Sequence, residues 1–150
     1  MNCDDFRPGP PSAAEQLLQL FGPAILDGNM TVVAREESPY FGDVAVTLRS
    51  AEFEIRLVSD RGTYFAEIRP YPGGDEWYDL TLLQMLVTGE DTLDGVPIQS
   101  QANFFRDHLI DVGKALAQDR WPLTRRQLEE SERQRAAKRF EISSESPRGE

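Results

Sequence analysis

Three consecutive segments between Asp43 and Arg69 alternate apolar and polar side chains with a period of two. This periodicity is typical of β-strands that bury one face. The breaks between them, at Ser50–Ala51 and Ser59–Gly62, are short enough to join neighbouring strands in an antiparallel meander. The pattern therefore constrains the chain to a sheet with one apolar and one polar face.

A fourth strand is predicted over Met30–Glu36, ahead of the other three. In the later strands the side chains predicted to share the buried face are Val44, Val46, Leu48, Phe53, Ile55, Leu57, Tyr64, Ala66 and Ile68. The opposite face carries Thr47, Arg49, Glu54, Arg56, Glu67 and Arg69. Its mixed charges can pair across strands, so this face is expected either to be solvated or to bind a partner.

The segment before the strands predicts an arm followed by a helix. Residues 1–11 are acidic and proline-rich, which favours a flexible arm. Ser12 and Glu15 have the spacing of a capping box and are expected to begin a helix. That helix is predicted to end near Gly22–Pro23 or at Asp27–Gly28.

Three helices are predicted after the sheet. Asp75 is expected to cap a buried helix over Glu76–Thr88, which Gly89 would stop. A second helix is expected over residues 101–118, and a third over about residues 122–140, with Pro122 in its first turn. The apolar face of the second is predicted to consist of Phe105, Leu109, Val112 and Leu116.

Together these elements predict a single α+β domain over residues 12–140. It would contain an N-terminal helix, a four-stranded antiparallel meander sheet and three C-terminal helices packed mainly on one face. The last helix is highly charged, so it is expected to lie along the domain edge or to project from it. Residues 141–150 are polar and predicted to form a disordered tail.

The net charge of −10 is unevenly distributed along the chain: residues 1–119 contribute −12 and residues 120–150 contribute +2. Binding to nucleic acid needs clustered Lys and Arg, so we expect no direct nucleic-acid contact. An acidic body either serves solubility alone or attracts a basic partner.

Catalytic chemistry finds little support in the sequence. Cys3 is the only cysteine and His108 the only histidine, so a zinc cluster or a catalytic triad lacks members. Asp111, three positions after His108, is expected to satisfy that histidine at a helix boundary. Gly73–Gly74 has no following lysine, as a phosphate loop would require. We therefore expect no cofactor and no catalysis.

Two further features bear on location. The N-terminal residues are acidic and proline-rich, unlike a signal peptide. The sequence contains no apolar run near the 18 or so residues that a membrane span requires. A cytoplasmic protein without membrane contact is the resulting expectation.

A resemblance emerges from the spacing of apolar and charged residues. The strand pattern runs Val46-x-Leu48-x-Ser50-x-x-Phe53-x-Ile55-Arg56-x-Val58-x-Asp60-Arg61-Gly62, followed by Glu76-Trp77-Tyr78-Asp79-Leu80 and a charged close over residues 128–140. Over roughly residues 30–140 it resembles a group of small bacterial proteins that look immunity-like: acidic α+β partners of the kind encoded beside toxins or other defence genes. The resemblance implies a partner and no catalytic residue.

The leading hypothesis is a non-catalytic protein-binding module, an immunity or defence-associated partner of a basic toxin or effector encoded nearby. Large aromatic side chains such as Trp77 and Tyr78 are expected mainly to anchor the helix predicted over Glu76–Thr88 to the sheet. Candidate partner-binding residues lie on the polar sheet face, at the mouth of that helix and in the acidic loop after it: Glu54, Arg56, Glu67, Asp75, Glu76, Trp77, Asp79, Glu90, Asp91 and Asp94.

Two alternatives remain open from the sequence. A structural or adaptor subunit would dock the narrow apolar stripe of its last helix, Leu123 to Phe140, on a larger complex. A small metal-dependent hydrolase would use the carboxylates of Glu90, Asp91 and Asp94 to hold a hard cation, although their spacing is not that of a calcium loop.

Overall fold

The computed structural model describes residues 12–38, 43–90 and 95–144, with side chains to residue 139. This part of the chain has an α+β fold with a five-stranded antiparallel sheet in the order β1-β2-β3-β4-β5. Its elements are α1 (Ala13–Leu20), α2 (Gly22–Asp27), β1 (Thr31–Glu37), β2 (Val44–Arg49), β3 (Phe53–Asp60), β4 (Thr63–Pro70), β5 (Tyr78–Asp79), α3 (Leu80–Thr88), α4 (Ile98–Asp107), α5 (Leu109–Leu116) and α6 (Trp121–Ser144). The predicted arm, residues 1–11, lies outside the described residues.

The period-two pattern produces the meander that it predicts. The strands β2, β3 and β4 pair in antiparallel register, and a two-residue turn at Arg61–Gly62, with both φ angles positive, joins the last two. The side chains of Val46, Leu48 and Ile55 are fully buried, as are those of Leu57, Ala66 and Ile68. The predicted buried face is therefore confirmed for these strands.

The sheet has five strands and not four, because Tyr78 and Asp79 pair with Ile68 and Glu67 of β4. This pairing keeps the backbone extended at the point where the sequence predicts a helix. The prediction of Asp75 as the cap was wrong: the N-cap of α3 is Asp79, whose Oδ1 accepts the Thr81 N–H at 3.1 Å. Gly89 ends the helix with a left-handed backbone, as predicted.

Two predicted helices are each interrupted in the structure. The N-terminal one begins as predicted, with Ser12 Oγ accepting the Glu15 N–H at 3.2 Å, but divides at Phe21 into α1 and α2. The helix predicted over residues 101–118 begins earlier and divides at His108 into α4 and α5. The break leaves the buried positions of Phe105, Val112 and Leu116 unchanged, since both halves bury their apolar side chains in the same core.

The helices that pack on the sheet are α1, α3 and α4, and they cover its apolar face. The opposite face, which we call the open face, carries the polar side chains of β2 to β4. Its members are Ala45, Thr47, Arg49, Glu54, Arg56, Val58, Phe65, Glu67 and Arg69.

The first strand, predicted over Met30–Glu36, does not alternate buried and exposed residues as β2 does. Met30 is buried ahead of the strand, but every residue from Thr31 to Glu37 is exposed, including Val32 at 52% and Val33 at 41%. An irregularity between Val32 and Ala34 shifts the register against β2. The strand thus forms an edge that the core does not cover.

The last helix, α6, lies on α3 and α5, and three residues fix its position. Thr124 and Leu128 are buried, and Arg135 Nη1 donates to Asp79 Oδ2 at 3.1 Å and to Thr81 Oγ1 at 3.0 Å. Within the predicted apolar stripe from Leu123 to Phe140, the side chains of Leu123 and Ala136 are exposed. The helix runs to Ser144, four residues beyond its predicted end and into the segment predicted as a disordered tail.

We expect Arg135→Ala to lower the free energy of unfolding by about 1–2 kcal/mol, because Asp79 and Thr81 lose a donor that is itself buried. Urea unfolding followed by circular dichroism measures the change. The matched control is Arg133→Ala, two residues earlier on α6, which breaks only an exposed pair with Glu130. Equal stability of the two variants would contradict this role for Arg135.

Candidate functional site

The open face carries an ordered array of charges across three strands. Directly opposed residues of antiparallel strands point to the same face, and the register places Arg49 opposite Glu54 and Glu54 opposite Arg69. In the next row Arg56 lies opposite Glu67. Each arginine can therefore reach a carboxylate on the neighbouring strand.

Glu54 lies at the centre of this array and is only 3% exposed. Its Oε2 accepts from Arg49 Nε at 3.0 Å and its Oε1 accepts from Arg69 Nε at 3.0 Å. In each ion pair the arginine Nη2 lies 2.9 Å from the same oxygen. Both carboxylate oxygens are thus used within the molecule. Glu54 was predicted to contact a partner, but it lies beneath two guanidinium groups.

A second ion pair extends the array toward β5. Arg56 donates to Glu67 Oε1 through Nε at 3.0 Å and Nη2 at 2.7 Å. About a third of the Arg56 side chain is exposed, at 32%, against 22% for Glu67. The arginines, and not the glutamates, therefore provide most of the charged surface of the open face.

Two aromatic rings lie against these arginines. The guanidinium carbons of Arg56 and Arg69 lie over the Trp77 ring at 4.5 and 4.1 Å from its centroid, and that of Arg49 lies over the Tyr71 ring at 4.0 Å. Such contacts are attractive because the ring face is electronegative. Trp77 was expected to anchor a helix to the sheet core, but it contacts the polar face instead.

The arrangement fixes three guanidinium groups in place by a carboxylate on one side and an aromatic ring on the other. Each directs Nε and Nη2 at its carboxylate, so as far as the described residues go its Nη1 group is left to donate to another molecule. We name this set of residues, Arg49, Glu54, Arg56, Glu67, Arg69, Tyr71 and Trp77, the arginine–aromatic patch. Three of its residue types, Arg, Trp and Tyr, are enriched at the centres of protein–protein interfaces.

Sequence reasoning missed Tyr71, which directly follows β4. Its backbone N–H donates to the Glu52 carbonyl at 3.0 Å, and this bond holds the residue beside the open face. Its position two residues after Arg69 indicates the same face of the sheet, because side chains two positions apart on a strand share a face.

The other acidic candidates have different surroundings. Asp75 and Glu76 line a small cavity of 100 Å³ together with Gly73, Tyr78, Trp121 and Arg125. Within it the Tyr78 hydroxyl lies 3.2 Å from Glu76 Oε2 and 3.4 Å from Glu129 Oε1, and the Trp121 ring meets the Tyr78 ring edge-on at 5.6 Å. These contacts join the segment before β5 to the first turns of α6.

Burial raises the pKa of Tyr78 above its ordinary value. The Arg125 guanidinium acts in the opposite direction through a hydrogen bond, and the Glu76 carboxylate adds to the rise. The neutral phenol is therefore the form that the folded protein favours.

Asp79 has a structural role, since it caps α3 and binds Arg135. The backbone N–H of Glu90 donates to Thr88 Oγ1 at 3.3 Å, while Asp91 and Asp94 lie outside the described residues. Over the described residues, no three His, Cys, Asp or Glu side chains are placed to share a metal ion.

His108 lies at the junction of α4 and α5. Its ring stacks on Phe104 at 5.1 Å between centroids, and Nδ1 is 3.4 Å from Asp111 Oδ2. The expectation of a boundary histidine next to a carboxylate is confirmed. Among the helices of the described segments, none has the length and apolar composition to cross a membrane.

We expect Glu54→Ala to lower the free energy of unfolding by about 2 kcal/mol, because it leaves Arg49 and Arg69 without their shared partner. The value is discounted because both arginines are partly exposed. Glu37→Ala, which breaks an exposed pair with Arg35, is the control and should cost about 0–1 kcal/mol. Chemical unfolding of both variants measures the difference, and a cost no larger than the control's would show that the patch is not preorganised.

The raised pKa of Tyr78 predicts a loss of stability in alkali. A folded-state pKa above the unfolded value gives stability that is complete below the unfolded value of about 10 and is lost as the pH rises through the folded one. The free energy of unfolding should therefore fall more steeply above about pH 10 in the wild type than in Tyr78→Phe. Parallel pH profiles for the two proteins would refute the assignment.

Comparison with known proteins gives no relative for this chain: no family model, curated protein or solved structure matches it.

Proposed function

We propose that this chain is a non-catalytic protein-binding module of the immunity or defence-associated type, and that it binds its partner through the open face. The partner is a protein with a basic surface, such as a toxin or effector encoded nearby. The observation that carries the proposal is the position of Trp77, which contacts Arg56 and Arg69 on the face of the sheet that the packed helices leave uncovered.

The patch supports binding because its side chains are already ordered. Ordering an arginine side chain at an interface normally costs conformational entropy. Here the carboxylates and aromatic rings already restrict the arginines in the unbound protein, so binding a partner would cost less entropy. The apolar side chains of Ala45, Val58 and Phe65 lie half-buried beside the patch on the same face. A partner can therefore bury apolar area and hydrogen-bond to the Nη1 edges in one contact.

Charge supports a basic partner. The chain carries −10 overall, while the five charged side chains of the patch sum to +1. Long-range attraction would bring a basic protein to the acidic body, and the patch would then select a complementary surface of carboxylates or aromatic rings at the centre of the contact. Asp75 and Glu76, next to Trp77 in the chain, are exposed and suit the rim.

The adaptor alternative has less support. It needs an apolar stripe on α6, but Leu128 is fully buried in the core of this molecule and Ala136 has only charged or polar neighbours in the chain besides Ala137. Trp121 packs on Tyr78 and is not available for such a contact. Among the described residues of α6, Leu123 is the large apolar side chain that is exposed, at 46%.

Trp77→Ala tests the proposal. The tagged wild-type protein is first used to capture partners from its native host at low and moderate salt, and a stoichiometric partner is then purified. Titration calorimetry with that partner should show binding weakened about 30-fold or more by Trp77→Ala and by Arg56→Ala, as at interface hot spots. The controls, Leu123→Ala and Arg126→Ala on α6, should stay within about threefold.

Circular dichroism must show that the patch variants remain folded. Three results contradict the proposal: no stoichiometric partner even at low salt, unchanged affinity for both patch variants, or loss of binding in Leu123→Ala. The last result would support the adaptor alternative.

A further inference from the structure

The two edges of the sheet differ in how their backbone groups are used. At the β4 edge the two-residue turn fixes Asp60 and Thr63 as a hydrogen-bonded pair, so the backbones of Ala66 and Ile68 point away from β3. Ile68 pairs with Tyr78 of β5, and the Ala66 N–H donates to Gln101 Oε1 at 3.1 Å. Strand β5 and one buried side chain of α4 therefore cover this edge at Ile68 and Ala66.

Among the residues that the structure describes, none covers the β1 edge in this way. The Ser38 N–H donates to the Asp43 carbonyl at 2.8 Å, so by alternation the backbones of Glu36 and Ser38 point toward β2 and those of Arg35 and Glu37 point outward. Over the described segments the sheet ends at β1, so those N–H and C=O groups have no neighbouring strand. Both faces of the strand are exposed as well.

The outward residues are self-complementary. Arg35 and Glu37 carry opposite charges, share one face of the strand and are close enough to pair with each other, at 2.6 Å between Nη2 and Oε1. A twofold axis through Glu36 would place Arg35 of each copy opposite Glu37 of the other, which gives two ion pairs. The same register would supply four backbone hydrogen bonds, two from each hydrogen-bonded pair.

We propose that β1 is a self-association edge, through which two copies of this chain pair antiparallel with Glu36 at the centre. The occupant is a second copy because the charge order along the strand complements itself under that rotation. The pairing uses residues 34–38 and leaves the irregular backbone at Val33 outside it. It does not depend on the proposed function.

Two features oppose the pairing and determine how strong it is. Glu36 of one copy would lie opposite Glu36 of the second copy, and each copy carries −10. Charged side chains and bulges are also devices that keep strand edges single. The dimer is therefore weak and strengthens with added salt, in contrast to the salt-sensitive contact expected with a basic partner.

The geometry has a structural consequence. An axis that relates antiparallel neighbours in one sheet is perpendicular to that sheet, so both open faces would lie on the same side of a ten-stranded sheet. Each dimer would then present two arginine–aromatic patches to one partner surface.

Analytical ultracentrifugation of the full chain, up to about 1 mM, tests the pairing. Arg35→Glu and Glu37→Arg should each raise the dimer dissociation constant about tenfold or more, because like charges would then face each other twice. The double variant R35E/E37R has the wild-type net charge and restores the complement, so its dissociation constant should return close to the wild-type value. Glu36→Gln should lower the dimer dissociation constant, because it removes the repulsion between the two Glu36 side chains.

A backbone variant separates strand pairing from side-chain contact. Arg35→Pro removes an outward N–H and leaves the ladder with β2 intact, as proline permits on an edge strand, so it should abolish dimers in a folded protein. Arg35→Ala keeps that N–H and should only weaken them. A monomer at every concentration, an unrestored double variant, or equal dissociation constants for the proline and alanine variants would overturn the proposal.

Discussion

The Asp79 carboxylate joins three parts of this fold. Oδ1 caps α3 through the Thr81 N–H, Oδ2 holds Arg135 of α6, and the backbone of the same residue pairs with Glu67 of β4. Because the residue is fixed from all three sides, α3 begins at Leu80 and the segment before it is extended. Trp77 lies in that segment, so the same contacts determine which face of the sheet its ring reaches.

Much of the sheet followed from residue order alone. A period of two specifies which side chains share a face, and short turns leave few alternatives to a meander, so the buried positions in β2, β3 and β4 were predictable. The fifth strand was not, because two residues carry too little pattern and the sequence from Glu76 onward also fits a helix. By residue type, either Asp75 or Asp79 could cap the helix at its N-terminus. Asp79 is the cap because Tyr78 and Asp79 pair with β4, which keeps the backbone extended up to Leu80.

The candidate site was predictable only in part, for a related reason. Alternation placed Glu54, Arg56 and Glu67 on one face, and the register agrees with it. Alternation could not show that Glu54 is buried, since that depends on two arginines closing over it from different strands. The contacts of Trp77 and Tyr71 likewise depend on where the chain returns after β4, which sequence periodicity does not encode.

The Gln101 amide has a consequence for stoichiometry. Its oxygen accepts the Ala66 N–H, which would otherwise face a neighbouring strand, because β5 is too short to reach Ala66. Its nitrogen donates to the Val96 carbonyl at 2.9 Å and so holds the amide in place. In the proposed twofold pairing each copy uses its β1 edge, so an assembly through β1 closes at two copies. A chain with both edges open has no such limit, and its association would lead to fibres. The Gln101 amide thus takes up one backbone donor that would otherwise be open to strand pairing at the edge opposite β1.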